Sequence, residues 1–160
     1  MKIVGLSTLS DNYTWVIQSE NPAETRAWIV DPGESKKVIQ YFEENQLQLA
    51  GILLTHHHYD HTNGVKAVMS TLGEVPIASN AEGPFSPVTY PVNDGDQIQV
   101  LEETFQVIAT PGHTDEHISF YHPEALFSGD TLFTGGCGKI WQHPPELMAD
   151  SLLKLRALND

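Results

Sequence analysis

One cysteine, few basic residues and no long apolar run mark this 160-residue chain, and each shortage excludes a class of protein. The lone Cys137 cannot close an internal disulfide, so a disulfide scaffold is excluded and a reducing compartment is expected. Its plainest role is a small buried thiol in a Gly-rich loop. Only 8 Lys and Arg stand against 21 Asp and Glu, for a formal charge of -13. Such a surface repels phosphate backbones, and no nucleic-acid partner is expected. No stretch approaches the roughly 20 apolar residues of a membrane-spanning helix. Residues 1–9 are too short and too mixed for a signal peptide, so a cytoplasmic, membrane-free protein is expected. Repeats, low-complexity tracts and linker-like shifts of composition are missing as well, and one domain over residues 1–160 follows.

What remains is ordinary globular material, 40% hydrophobic and 18% charged, with apolar segments of strand length. Residues 2–8, 13–18 and 26–30 read as short strands separated by turn formers, a meander. After the turn Asp31-Pro32-Gly33, the spacing of Val38, Ile39, Phe42 and Leu47 predicts a helix to about residue 47. Residues 51–54 suit a buried strand. Val65, Val68, Met69 and Leu72 predict a helix over 63–72. The stretch 74–95, with Pro76, Pro84, Pro87 and Pro91, reads as loop, closing in a tight turn at 93–96. Strands are expected at 97–101, 104–109, 117–121 and 125–128. An amphipathic helix is expected over 146–158, with Leu147, Met148, Leu152, Leu155 and Leu158 on one stripe.

The chemistry is concentrated in Thr55-His56-His57-His58-Tyr59-Asp60-His61, four imidazoles and a carboxylate directly after an apolar strand. In an extended segment alternate side chains share a face, which would align His56, His58 and Asp60 and turn His57 and Tyr59 away. His61 would open the following helix on the same side. Imidazole and carboxylate together suit zinc, iron or manganese and need no thiolate. A surface His-rich loop is the plainer alternative. Two later strand ends repeat the pattern: His113 in Thr110-Pro111-Gly112-His113-Thr114, and Asp130 in Ser128-Gly129-Asp130-Thr131. A carboxylate such as Asp130 can bridge two ions through its two oxygens. His117 and Asp31 are candidates for orienting ligands. His57, His122 and His143 lack comparable local geometry.

These residues resemble the metallo-β-lactamase superfamily, whose HxHxDH signature is matched by His56, His58, Asp60 and His61 and extended by His113 and Asp130. The resemblance implies an α/β fold, an αββα sandwich, with a first metal on His56, His58 and His113. It also implies a second metal on Asp60 and His61, with Asp130 bridging. Within the superfamily the chain is most similar to the glyoxalase II group of thioester hydrolases, through Asp11-Asn12-Tyr13, residues 55–64, Pro111-Gly112-His113-Thr114 and residues 129–139.

That likeness implies two divalent ions, zinc first with iron or manganese as alternatives. It implies a glutathione thioester as substrate, methylglyoxal detoxification as the setting, and catalysis resting on Asp60 and Asp130. Lys139 would sit near the glutathione carboxylate and Trp141 would line that site, although a solvated lysine is the equal alternative for Lys139. The family's last second-site histidine, and the helical domain that follows it, have no counterpart here. An incomplete C-terminal edge of the sandwich is therefore expected. A single-iron persulfide dioxygenase and an inactive metal-binding fragment are the rival readings.

Overall fold

The computed structural model describes residues 1–141 and 143–158. Among these residues ten strands form two sheets. In the first, β1 (Lys2–Thr8), β2 (Asn12–Gln18) and β3 (Arg26–Val30) run as the expected antiparallel meander. β4 (Gln48–Leu53), β5 (Ile77–Asn80) and β6 (Tyr90–Val92) then add in parallel. The second sheet is antiparallel, in the order β10 (Ala125–Phe127), β9 (Ile118–His122), β8 (Glu103–Ala109), β7 (Gln97–Val100).

Parallel neighbours need crossovers; helices supply the first two, and residues 81–89, without a helix, the third. α1 (Lys36–Glu44) joins β3 to β4, while a single turn, α2 (Tyr59–Thr62), and α3 (Val65–Leu72) join β4 to β5. Strand β3 shows how the layers are built. Its Trp28 and Val30 enter the core between the sheets with Phe105, Val107 and Phe120, and its Ala27 and Ile29 lie beneath the helices with Val38, Phe42 and Val68. Two-sided burial is why β3 and β4 read as continuous apolar runs rather than alternations. α4 (Pro145–Arg156) is anchored at the end of β8, where Ser151 Oγ donates to the Pro111 carbonyl at 2.7 Å and Lys154 Nζ to that of Ala109 at 3.0 Å. Among the described residues no helix is long and apolar enough to cross a membrane.

Three sequence expectations are corrected. α1 ends at Glu44, short of residue 47, because Gln46 turns left-handed (φ 54°). The Leu47 N–H then bonds the Phe42 carbonyl and the Gln46 N–H that of Glu43, a Schellman stop. The stretch 74–95 is not all loop: it contains β5 and β6, which are short, and Pro91 sits within β6, where an edge position spares its missing N–H. Cys137 is exposed rather than buried. Phe133 and Gly136 exchange main-chain hydrogen bonds in a tight turn that carries residues 132–137 outward.

Candidate metal centre

Four strand ends converge. Asp31 follows β3, Thr55 and His56 follow β4, His113 follows β8 and Asp130 follows β10. Asp31 is buried and left-handed (φ 50°), a conformation that Asp tolerates better than most residues. Its Oδ1 accepts the Thr55 N–H at 2.8 Å, and its Oδ2 accepts the Thr55 hydroxyl at 2.7 Å. The same Oδ2 lies 3.0 Å from His61 Nδ1. With its proton given to Asp31, Thr55 Oγ1 can only accept from His56 Nδ1, 3.1 Å away. That fixes the His56 tautomer and leaves the lone pair on Nε2.

His113 is oriented in the same way, its Nδ1–H donating to the Lys139 carbonyl at 2.7 Å. Its Nε2 lies 2.8 Å from His58 Nδ1 and 3.3 Å from Asp130 Oδ2. His56, His58 and His113 bring one ligand atom each within 4.8 Å of one another, as do His56, His61 and Asp130. Five of the six expected ligands are thus brought together. Asp60 stays at the rim, because residues 59–62 form a helical turn and the shared extended face ends at His58. Its half-exposed carboxylate accepts from Asn12 Nδ2 at 2.9 Å and lies 3.5 Å from His61 Nε2.

The donor set fits a divalent cation. His56 Nε2 is buried without a hydrogen-bond partner, a state costing about 1–3 kcal/mol when nothing fills it. His61 Nε2 also lacks hydrogen-bond geometry; its 3.1 Å approach to Asp130 Oδ1 is an ionic contact rather than a bond. Burial, reinforced by the surrounding imidazoles, holds His56 far below the usual histidine range and lowers His58, so both are neutral. Burial also works to lower His61, but the Asp130 and Asp31 carboxylates outweigh it and raise its pKa to about 10. Burial tends to raise Asp130, yet His61 holds that carboxyl below its ordinary value.

His117, a candidate for orienting ligands, lies against His56 and Asp130. It is fully buried, its pKa pushed down to about 4 by burial, and it stacks on His56 at 4.9 Å. Its Nε2 accepts the Asp130 N–H at 3.1 Å, while Nδ1 lies near the hydroxyls of Thr110 and Thr131. The other histidines lie outside both groups: His122 pairs with Glu103, His143 with Asp115 and His57 with Glu116. Glu116 escaped the sequence reading because a single Glu after a turn carries no signal.

Two clefts flank the centre. One of about 690 Å³ touches His58 and His113 and is lined also by His57, Glu116 and Trp141. The other, about 870 Å³, reaches Asp60, His61 and Asp130 past Tyr13, Trp15 and Phe133. Lys139 is exposed, with Nζ 3.7 Å above the centre of the Trp141 ring.

The sequence profile of the metallo-beta-lactamase superfamily matches residues 8–160. The chain is 82% identical, over its whole length and 60% of that protein, to a hydroxyacylglutathione hydrolase of Hydrogenovibrio crunogenus. It thus spans about three fifths of the length of the curated relatives it matches. Among solved structures it is similar to ETHE1 from Myxococcus xanthus, with a TM-score of 0.83 and 29% identity over 97% of this chain and 69% of that one. It is also similar to TTHA1623 in a di-iron-bound form, with a TM-score of 0.78 and 27% identity over 99% and 87% of the two chains. With its α/β sandwich and a histidine–carboxylate cluster at the strand ends, the chain belongs to the metallo-β-lactamase superfamily.

Proposed function

We propose that this chain is the metal-holding part of a hydroxyacylglutathione hydrolase, which cleaves S-2-hydroxyacylglutathione, such as S-lactoylglutathione, to glutathione and a 2-hydroxy acid such as D-lactate. The observation that carries the reading is the 82% identity, along the whole chain, to a protein of that name.

In this reading His56, His58 and His113 would hold the first divalent cation, Asp60 and His61 the second, and Asp130 would be shared between them. Such ions acidify water and polarise a carbonyl. Zinc suits the donors, with iron and manganese as alternatives; the di-iron form of a similar protein supports a two-ion centre. Asp31, Thr55 and the Lys139 carbonyl fix the tautomers that point lone pairs inward. Asp60, whose carboxylate lies 3.5 Å from His61 Nε2, would complete the second set. Lys139 and Trp141, beside the first cleft, receive the glutathione carboxylate and backbone. A thiolate leaves readily at neutral pH, so no strong general acid is required. A cytoplasmic setting accords with a glutathione substrate and an exposed free Cys137.

The same identity supports hydrolysis over single-iron persulfide dioxygenation. The test is metal content measured alongside turnover of S-lactoylglutathione and oxygen uptake with glutathione persulfide. Hydrolysis with two ions per chain is expected. Oxygen uptake without hydrolysis would sink the reading, and full loading with neither activity would leave a metal-binding module.

A further inference from the structure

Nothing in the sequence singles out Glu116, yet it ties two ligand-bearing loops together. It lies three residues beyond His113, and its Oε1 accepts the main-chain N–H of His57 at 3.2 Å and meets His57 Nδ1 as well. The two residues are 59 apart in sequence. His57 stands between His56 and His58, and its ring meets the His58 ring edge-on, centroids 4.9 Å apart. The Glu116 side chain is only 9% exposed. A carboxylate this buried is tolerated only with its hydrogen bonds made, so the contact is geometrically demanding at both ends. Gly83 closes over its stem: a methyl there would lie 3.0 Å from Glu116 Cγ.

We propose that Glu116 is a positioning residue for the first metal site, fixing the main chain and ring of His57 and thereby the placement of His56 and His58 relative to His113. The carboxylate touches no ligand atom of the site. It acts through His57, which transmits its position along the backbone to both neighbours and by ring contact to His58. This rests on the metal-centre reading above and is independent of which substrate is cleaved.

The test separates positioning from plain stabilisation. Zinc affinity is measured by chelator competition for the wild-type chain, Glu116→Ala and Glu116→Gln, alongside melting of the metal-stripped proteins. Removing a group that orients ligands typically weakens binding by about 10–100-fold. Glu116→Ala is expected to lose that much at the tighter site, out of proportion to any change in metal-free melting. Glu116→Gln, whose amide oxygen still accepts the main-chain N–H, is expected to recover most of it. Affinity within about twofold of wild type in the alanine variant, or a glutamine variant as weak as alanine, overturns the proposal. Should the alanine variant not fold, Gly83→Ala presses on the same side chain and is expected to weaken zinc severalfold, with unchanged affinity overturning the proposal. Failure of the hydrolase reading would appear as loaded wild-type protein without thioester cleavage, leaving these titrations untouched.

Discussion

Three glycines in the loop after Asp130 meet such different surroundings that replacing each by alanine separates steric from conformational cost. A Cβ on Gly138 would stand 2.1 Å from the Asp130 carbonyl oxygen and 3.0 Å from His113 Nδ1. Carbon–oxygen contacts settle near 3.3 Å, so the loop must move by about 1 Å. The movement breaks the Gly138 N–H bond to the Asp130 carbonyl, now 2.8 Å, and draws the Lys139 carbonyl away from His113 Nδ1. Overpacking costs about 1–3 kcal/mol and the lost hydrogen bond about 1 kcal/mol. At about 2–4 °C per kcal/mol for a chain of this size, Gly138→Ala should melt about 4–16 °C lower. It should also bind the first metal about tenfold more weakly, since His113 loses its orienting acceptor. Gly135 (φ 83°) meets open space, so alanine there carries only the left-handed penalty, about 1 kcal/mol. Gly136 meets open space without a positive φ, and Gly136→Ala should be neutral or slightly stabilising. Thermal melts of the three variants, with chelator titration of zinc, give the ranking. Equal melting of Gly136→Ala and Gly138→Ala would refute the close approach of this loop to Asp130.

Asp130→Asn should reduce metal content and thioester turnover together, because an amide cannot offer two anionic oxygens to two ions; unchanged turnover in a loaded variant would require a different bridge. His61 should lose a proton when the second ion binds. Its pKa, raised to about 10 in the metal-free protein, keeps it charged at pH 7.5. Proton competition then weakens second-site affinity about tenfold for each pH unit below that value and ceases above it. Calorimetry in two buffers of different ionisation enthalpy should show about one proton released per second ion, and buffer-independent heats would contradict the assignment. Lys139→Gln should raise KM for S-lactoylglutathione about tenfold with metal content unchanged, as expected for loss of a charge-assisted contact. An unchanged KM would return Lys139 to the role of a solvated lysine.

The clustering of His56, His58, His61, His113 and Asp130 was legible because each signal is short-range in sequence: an imidazole run or a turn directly after an apolar strand needs only the strand to be recognised. The meander, α3, the second sheet and α4 were legible for the same reason, since Val, Ile and Leu periodicity is dictated by burial. β5 and β6 were not, because three or four residues beside prolines carry no periodicity, and their pairing is decided by β4 across the sheet. Asp60 shows the other kind of failure. The alternation rule is sound, but it applies only while the chain is extended, and the switch to a helical turn at Tyr59 is a tertiary choice. Glu116 and His57 were invisible as a pair, as is any contact between residues 59 apart whose types are common. Cys137 went wrong because the average burial of cysteine was applied to a loop whose tight turn faces water.

Left-handed backbone also serves the centre. Asp31, Gly112 and Gly129 adopt positive φ within the segments that carry or orient ligands. A Cβ on Gly129 would lie 2.4 Å from Thr55 Oγ1 and 2.7 Å from His117 Nε2, and one on Gly112 2.8 Å from Met148 Cα. Such turns allow the chain to leave a strand and present a side chain inward within two or three residues. Their conformational cost is carried by the sheets behind them, where Val30, Leu53, Val107 and Phe127 pack in one core. Asp31 shows why this matters for chemistry. Its left-handed turn places one carboxylate against Thr55 and His61 together, so the same group joins β3 to β4 and sets the tautomers of two ligands. Any residue that released this turn would loosen the ends of two parallel strands and the lone pairs of His56 and His61 in one step.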